Sequence, residues 1–184
     1  MNRSTCVFLA TVATLLALTA QPAHASLMFV ANLDGSQEVG PVVTTTTGQA
    51  RFHLSVDQTM LDFELDVFAG VNITAAHIHL APAGVNGGVV AFLFGTGPVP
   101  LVNGSLATGT LLAGHLINAL AGQSIAALVQ EFENGNAYVN VHSQANPGGE
   151  IRGQIAQVVS EPATACLLAI GLLGAGYARR RHIH

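Results

Sequence analysis

Between Ser26 and Val159 the chain has no lysine and only two bases, Arg51 and Arg152, against nine acidic residues, hence a formal charge of −7. A surface of that sign repels phosphate backbones, which excludes nucleic acid as a partner. Cysteine is as scarce. Cys6 and Cys166 both lie outside this segment, so no internal disulfide staples it. Also missing are a Gly-X-Ser-X-Gly elbow, a phosphate loop and a His-Glu-X-X-His helix, and the serines have no evident triad. The nine scattered acids single out no pair for glycoside hydrolysis. These absences favour a binding or structural module over an enzyme.

What is present divides the chain into three unlike parts, because the 50% hydrophobic content is inflated by both ends. Residues 1–25 have one early base, Arg3, then a short apolar core, then Ala23-His24-Ala25. This order reads as a signal peptide cut by signal peptidase between Ala25 and Ser26. At the far end Ser160-Glu161-Pro162 precedes an uncharged stretch, 163–178, and then Arg179, Arg180 and Arg181. As a helix that stretch would span about 24 Å, a little short of a ~30 Å hydrocarbon core, and the arginines would hold the end in the cytoplasm. The terminal His182 and His184 lie beyond the arginines. They would be lost with the tail on cleavage. Residues 26–159 are left as one domain, long enough to bury a core without staples.

Within that domain the clearest signal is alternation with a period of two. Leu61, Phe63, Leu65 and Val67 alternate with Asp62, Glu64 and Asp66, and Ala50, Phe52, Leu54 and Val56 alternate with Arg51, His53 and Ser55. The two runs predict a hairpin turning near Asp57-Gln58. Further strands are expected over 27–33, 74–80, 89–94, 107–112, 137–142 and 151–158. Asp34-Gly35, Asn86-Gly87-Gly88, Asn103-Gly104, Asn134-Gly135 and Pro147-Gly148-Gly149 supply the turn signals. One interruption is helical: Ser124 is placed to cap a helix with Ile125, Leu128, Val129 and Phe132 on one face and Gly135 after it. Many short strands with this punctuation predict an all-β, antiparallel sandwich or barrel with one short helix.

Three motifs in this order carry a resemblance: Leu33-Asp34-Gly35-Ser36-Gln37-Glu38-Val39, Ala76-His77-Ile78-His79, and Tyr138-Val139-Asn140-Val141-His142. With Asn146-Pro147-Gly148-Gly149-Glu150-Ile151-Arg152-Gly153-Gln154-Ile155 they make residues 26–158 resemble the CHRD domain. Gly40-Pro41 departs from the two prolines usual there. The resemblance implies an immunoglobulin-like β-barrel found in many exported bacterial proteins. The C-terminal segment resembles a PEP-CTERM sorting signal, with Ser160 standing where the first proline of Pro-Glu-Pro usually sits. That resemblance implies an exosortase-type protease as a partner, a membrane-anchored intermediate, and delivery to the cell surface of a Gram-negative, exopolysaccharide-producing bacterium.

Residues two apart on a strand share a face, so His77 and His79 project together, opposite Ile78 and Leu80. By the same rule Tyr138, Asn140 and His142 share a face opposite Val139 and Val141. If the two strands are neighbours, three imidazoles converge on one exposed sheet face, a ligand set suited to copper or zinc. The His-X-His with a later Val-His also looks like part of the copper site of copper/zinc superoxide dismutases, which implies a superoxide dismutase-like barrel. No bridged zinc site accompanies it, and only His53 and His115 remain as further ligands. The competing expectation is structural: the histidines bond loop backbone, or Glu38 and Glu150. Glu150 and Arg152 share a strand face and are expected to form a partly exposed ion pair worth about 0–1 kcal/mol. Two functions follow: a non-enzymatic surface or matrix module contacting exopolysaccharide or surface proteins, or a copper- or zinc-binding protein using His77, His79 and His142, with superoxide dismutation as its extreme form.

Overall fold

The computed structural model describes residues 27–158. The signal segment with its cut between Ala25 and Ser26, the membrane helix 163–178, and the sorting residues Ser160, Glu161, Pro162, Arg179, Arg180 and Arg181 lie outside the described residues. Among the described residues no helix is long and apolar enough to cross a membrane.

The alternating runs form the hairpin they predict. Strand β2 (Thr47–Leu54) pairs antiparallel with β3 (Met60–Leu80), with Leu54 opposite Leu61 and Phe52 opposite Phe63. Ala50, Phe52, Leu54, Leu61, Leu65 and Val67 point inward and are buried. On the wet face Arg51 reaches Glu64 at 3.1 Å and Asp66 at 2.6 Å. Gln58 takes a left-handed φ of 59° in the connecting turn.

Two expected strands, 61–67 and 74–80, are one. β3 does not stop at the break in alternation near Gly70. Ala69 and Asn72 take left-handed φ values of 53° and 50°, and the register shifts there, so the interruption is a bulge that bends the strand. Asn103-Gly104 likewise is no turn. It lies inside β5 (Val99–Leu112), with Gly104 at φ 138°. The remaining strands are β1 (Met28–Asp34), β4 (Gly88–Phe94), β6 (Ala137–Ser143), β7 (Ile151–Gln154) and β8 (Ala156–Gln157), so the expected 151–158 strand is broken in two.

The length of β3 organises the molecule. One of its edges holds β2 and then β6, and the other holds β5 and then β4; Ile73 has Val99 on one side and Ser143 on the other. From β6 the sheet continues through β7 and β1 back to β2, which closes an antiparallel barrel. The all-β fold expected from the punctuation is the one observed.

Helix α1 (Ile125–Glu133) begins at the expected cap, Ser124, whose Oγ accepts from the Ala127 amide at 3.2 Å. Ile125, Leu128, Val129 and Phe132 are the four residues it buries. The Phe132 ring meets Phe29 at 5.4 Å and Phe52 at 5.3 Å, so the helix packs against the barrel core. Ser124→Ala should cost about 0.5–2 kcal/mol in urea melts, because one amide at the helix start loses its acceptor. A change below 0.3 kcal/mol, on the order of measurement error, would mean the cap contributes nothing.

Candidate metal centre

β3 and β6 are neighbours, as the convergence of the histidines requires. His77 lies opposite Asn140, His79 opposite Tyr138 and Ala75 opposite His142. Because Ile78, Val139 and Val141 are held in the core at 0% exposure, a one-residue slip of either strand would bury imidazoles in their place, and this fixes the register. His77, His79 and His142 each offer a ring nitrogen, and the three nitrogens lie within 4.8 Å of one another. His53 and His115 are not part of the group: His53 is exposed on β2, and His115 accepts from the Leu112 amide.

The face that carries the trio is not exposed as expected. Loops roof it, and His79 is only 8% and Tyr138 only 1% exposed. Alternation gives the side of a sheet but cannot report what folds over it. The loop 81–87 is tied down first. The buried Arg152 lies 3.4 Å over the Tyr138 ring and donates to the carbonyls of Pro82 (3.2 Å) and Val85 (2.8 Å) and to Asn86 Oδ1 (3.3 Å). Tyr138 Oη accepts from the Gly87 amide at 3.1 Å, and its ring stacks on His79 at 4.9 Å. Gly87 must lack a side chain, since a Cβ there would run into the Leu80 carbonyl.

The expected Glu150–Arg152 ion pair does not form. Glu150 accepts instead from Thr44, Thr46, Ser143 and Asn146, and Arg152 spends its donors on the loop. Burial works to raise the Glu150 carboxyl, but those four donors outweigh it and hold the group below the usual carboxylate range. Glu38 and Glu150 do not bond the histidines either. Glu38 faces Asn140 beside Gly149, where φ is 144°, and burial raises its carboxyl.

Backbone carbonyls orient two of the imidazoles. His79 Nδ1 donates to Gly87 O and His142 Nδ1 donates to Pro147 O, each at 3.0 Å. Each bond assigns the tautomer and leaves the lone pair on Nε2. The His142 Nε2 lies 3.1 Å from His77 Nδ1, while the buried His79 Nε2 has no hydrogen-bond partner. The His77 ring meets the edge of Phe92 at 4.6 Å. Burial lowers all three basicities: His77 is pushed down to about 4, helped by His142 and His79, and His79 and His142 are lowered too. Three imidazoles kept neutral, two with Nε2 lone pairs turned inward by carbonyl bonds, are the donor set a transition metal needs. At metal–nitrogen distances of 2.0–2.1 Å a tetrahedral ion has N···N edges of about 3.3 Å. The His77–His142 edge is already near that value.

A protein-family model described as the CHRD domain matches residues 29–155. The chain belongs to the CHRD family. No curated protein and no solved structure matches it. Within the CHRD domain, the match runs from β1 to Ile155 and takes in all three histidines, the roof loops and Arg152. The sequence pattern points to the histidine trio but not to the supporting contacts of Gly87, Pro147, Tyr138 and Arg152. Turn signals at Asn86-Gly87-Gly88 and Pro147-Gly148-Gly149, and the alternation that puts Tyr138 on the face of His142, mark three of these positions without reporting the contacts they make.

Proposed function

We propose that the protein is an exported CHRD module that holds one copper or zinc ion through His77, His79 and His142 and serves at the cell surface as a binding or structural component. The observation that carries this reading is the orphaned His79 Nε2, a buried acceptor aimed at neither protein nor solvent. Leaving such an atom unpaired costs about 1–3 kcal/mol, and a metal ion removes that cost. Imidazole suits both metals, and with no thiolate or carboxylate in the trio the Irving–Williams order favours copper. Export is supported by the Ala23-His24-Ala25 boundary, and sorting by Ser160-Glu161-Pro162, the apolar stretch and the three arginines. Signal peptidase, an exosortase-type protease and exopolysaccharide or neighbouring surface proteins are the partners this implies.

The reading is tested by metal analysis of protein purified without chelator. One equivalent of copper or zinc per chain is expected, lost in His77→Ala. A metal-free protein that takes up neither ion on titration would return the histidines to a structural role.

A further inference from the structure

We infer that the edge of β5 is the surface through which two copies of this chain associate. This surface is separate from the metal centre and rests on different observations. From Val67 to Gln130 the sequence contains no Asp, Glu, Lys or Arg, although the domain as a whole is strongly acidic. All of β4 and β5 fall within this charge-free stretch. The two outer strands differ in how their edges are finished. β4 is covered, because the Ile117 amide donates to Val90 O at 2.9 Å and Asn118 Nδ2 to Val89 O at 2.8 Å. β5 pairs with β3 along one edge, and among the described residues no strand lies on the other.

A long, uncharged open edge is what proteins normally protect with lysines or cover. β5 has no charge to protect it; its Pro100 and the bulge at Leu106 guard only the first half of the strand, and Ala107–Leu111 is left without either device. Large apolar side chains stand beside the edge in cross-strand pairs. Val71 (55% exposed) faces Leu101 (68%), and Met60 faces Leu112. Apolar surface gathered along a free strand edge marks a site of strand addition.

Charge identifies the occupant as a second copy. Two such acidic domains repel wherever their charged faces meet, and the β4–β5 side is where identical chains approach with no charged side chain on either strand. An antiparallel edge is also self-complementary: two β5 strands related by a twofold axis exchange hydrogen bonds without any new sequence. The acidic stripe of β3, Asp62, Glu64 and Asp66, would then lie three strand spacings from its counterpart. That is about 14 Å, beyond the ~8–10 Å screening length of physiological salt.

Sedimentation analysis of the full chain across the micromolar range tests this. Twice the protomer mass is expected, falling to the protomer mass in Leu101→Lys and Thr108→Lys and unchanged in Val43→Lys, whose side chain is fully exposed elsewhere. A protomer mass for the unaltered chain throughout would overturn the inference. So would a doubled mass that survives both β5 substitutions, since association would then run through another surface, the apolar stretch 163–178 included. Should the lysine variants melt early, hydrogen exchange on the unaltered chain decides. Those amides of 107–111 that point away from β3 must be protected at high concentration and exchange faster on dilution, and protection of these amides independent of concentration refutes the pairing.

Discussion

Replacing His79 by phenylalanine is expected to lower the affinity for copper or zinc by more than the ~10–100-fold that loss of a supporting residue around a metal typically costs. The stability of the metal-free protein should move by less than about 1 kcal/mol. Both halves follow from the bonding of one ring. His79 Nδ1 is satisfied by Gly87 O, and Nε2 is buried with no partner. The substitution removes that orphan and creates another, the Gly87 carbonyl, so the two costs nearly cancel. Stacking on Tyr138 is kept, because a phenyl ring occupies the same space. A purely structural histidine behaves in the opposite way: stability falls by a few kcal/mol and metal uptake is unaffected. Chelator-competition titration and urea melts of the same variant separate the two, and intact affinity would refute the assignment of His79 as a ligand.

The second large effect is on acid stability. Burial lowers the basicity of His77, His79 and His142 in the folded state, so between pH 6.5 and the folded value the unfolded chain binds more protons than the native one. Stability therefore rises with pH in that window and is lost as pH falls from about 6.5 to about 4, the His77 value. A fully buried histidine contributes about 1.4 kcal/mol per pH unit, and half-buried His77 contributes less because water screens it. Glu38 has the opposite sign. Its folded carboxyl is raised, so its contribution is present at low pH and lost as pH rises past 4.5, which partly offsets the histidines. Asp34 and Glu150 are lowered and add to the acid loss once their unfolded values are passed. Urea midpoints measured from pH 7 to pH 4 should fall steadily. Bound metal should hold the midpoint up until protons displace it, since only deprotonated imidazoles are ligands. A profile flat from pH 6.5 to 4.5 would show that the three rings are not buried neutral.

The pairing of strands explains why the trio is legible in the sequence and its supports are not. His77, His79 and His142 sit on alternating strands whose apolar partners, Ile78, Val139 and Val141, must face the core. Hydrophobic burial then chooses the face, and pairing of β3 with β6 brings the rings together. The same rule misleads for Glu150 and Arg152. They are two residues apart, but Glu150 precedes β7, and each finds better partners in a loop distant in sequence. Beside the local bonds of Glu150 to Ser143 and Asn146, the bond from Arg152 to Pro82 spans 70 residues and that from Thr44 to Glu150 spans 106, which no local pattern encodes.

By itself the sequence determined the all-β class, the β2–β3 hairpin, the capped helix, and the side of the sheet on which the histidines stand. Each of these is local, set by alternation, a cap or a turn residue acting over a few positions. The tertiary structure alone decided that β3 runs unbroken through its bulge to close the barrel, and that the loops 81–87 and 144–150 fold over the histidine face. It also decided that backbone carbonyls from those loops select the tautomers. These depend on chain closure and on backbone groups, which are chemically the same at every residue and leave no trace in side-chain order.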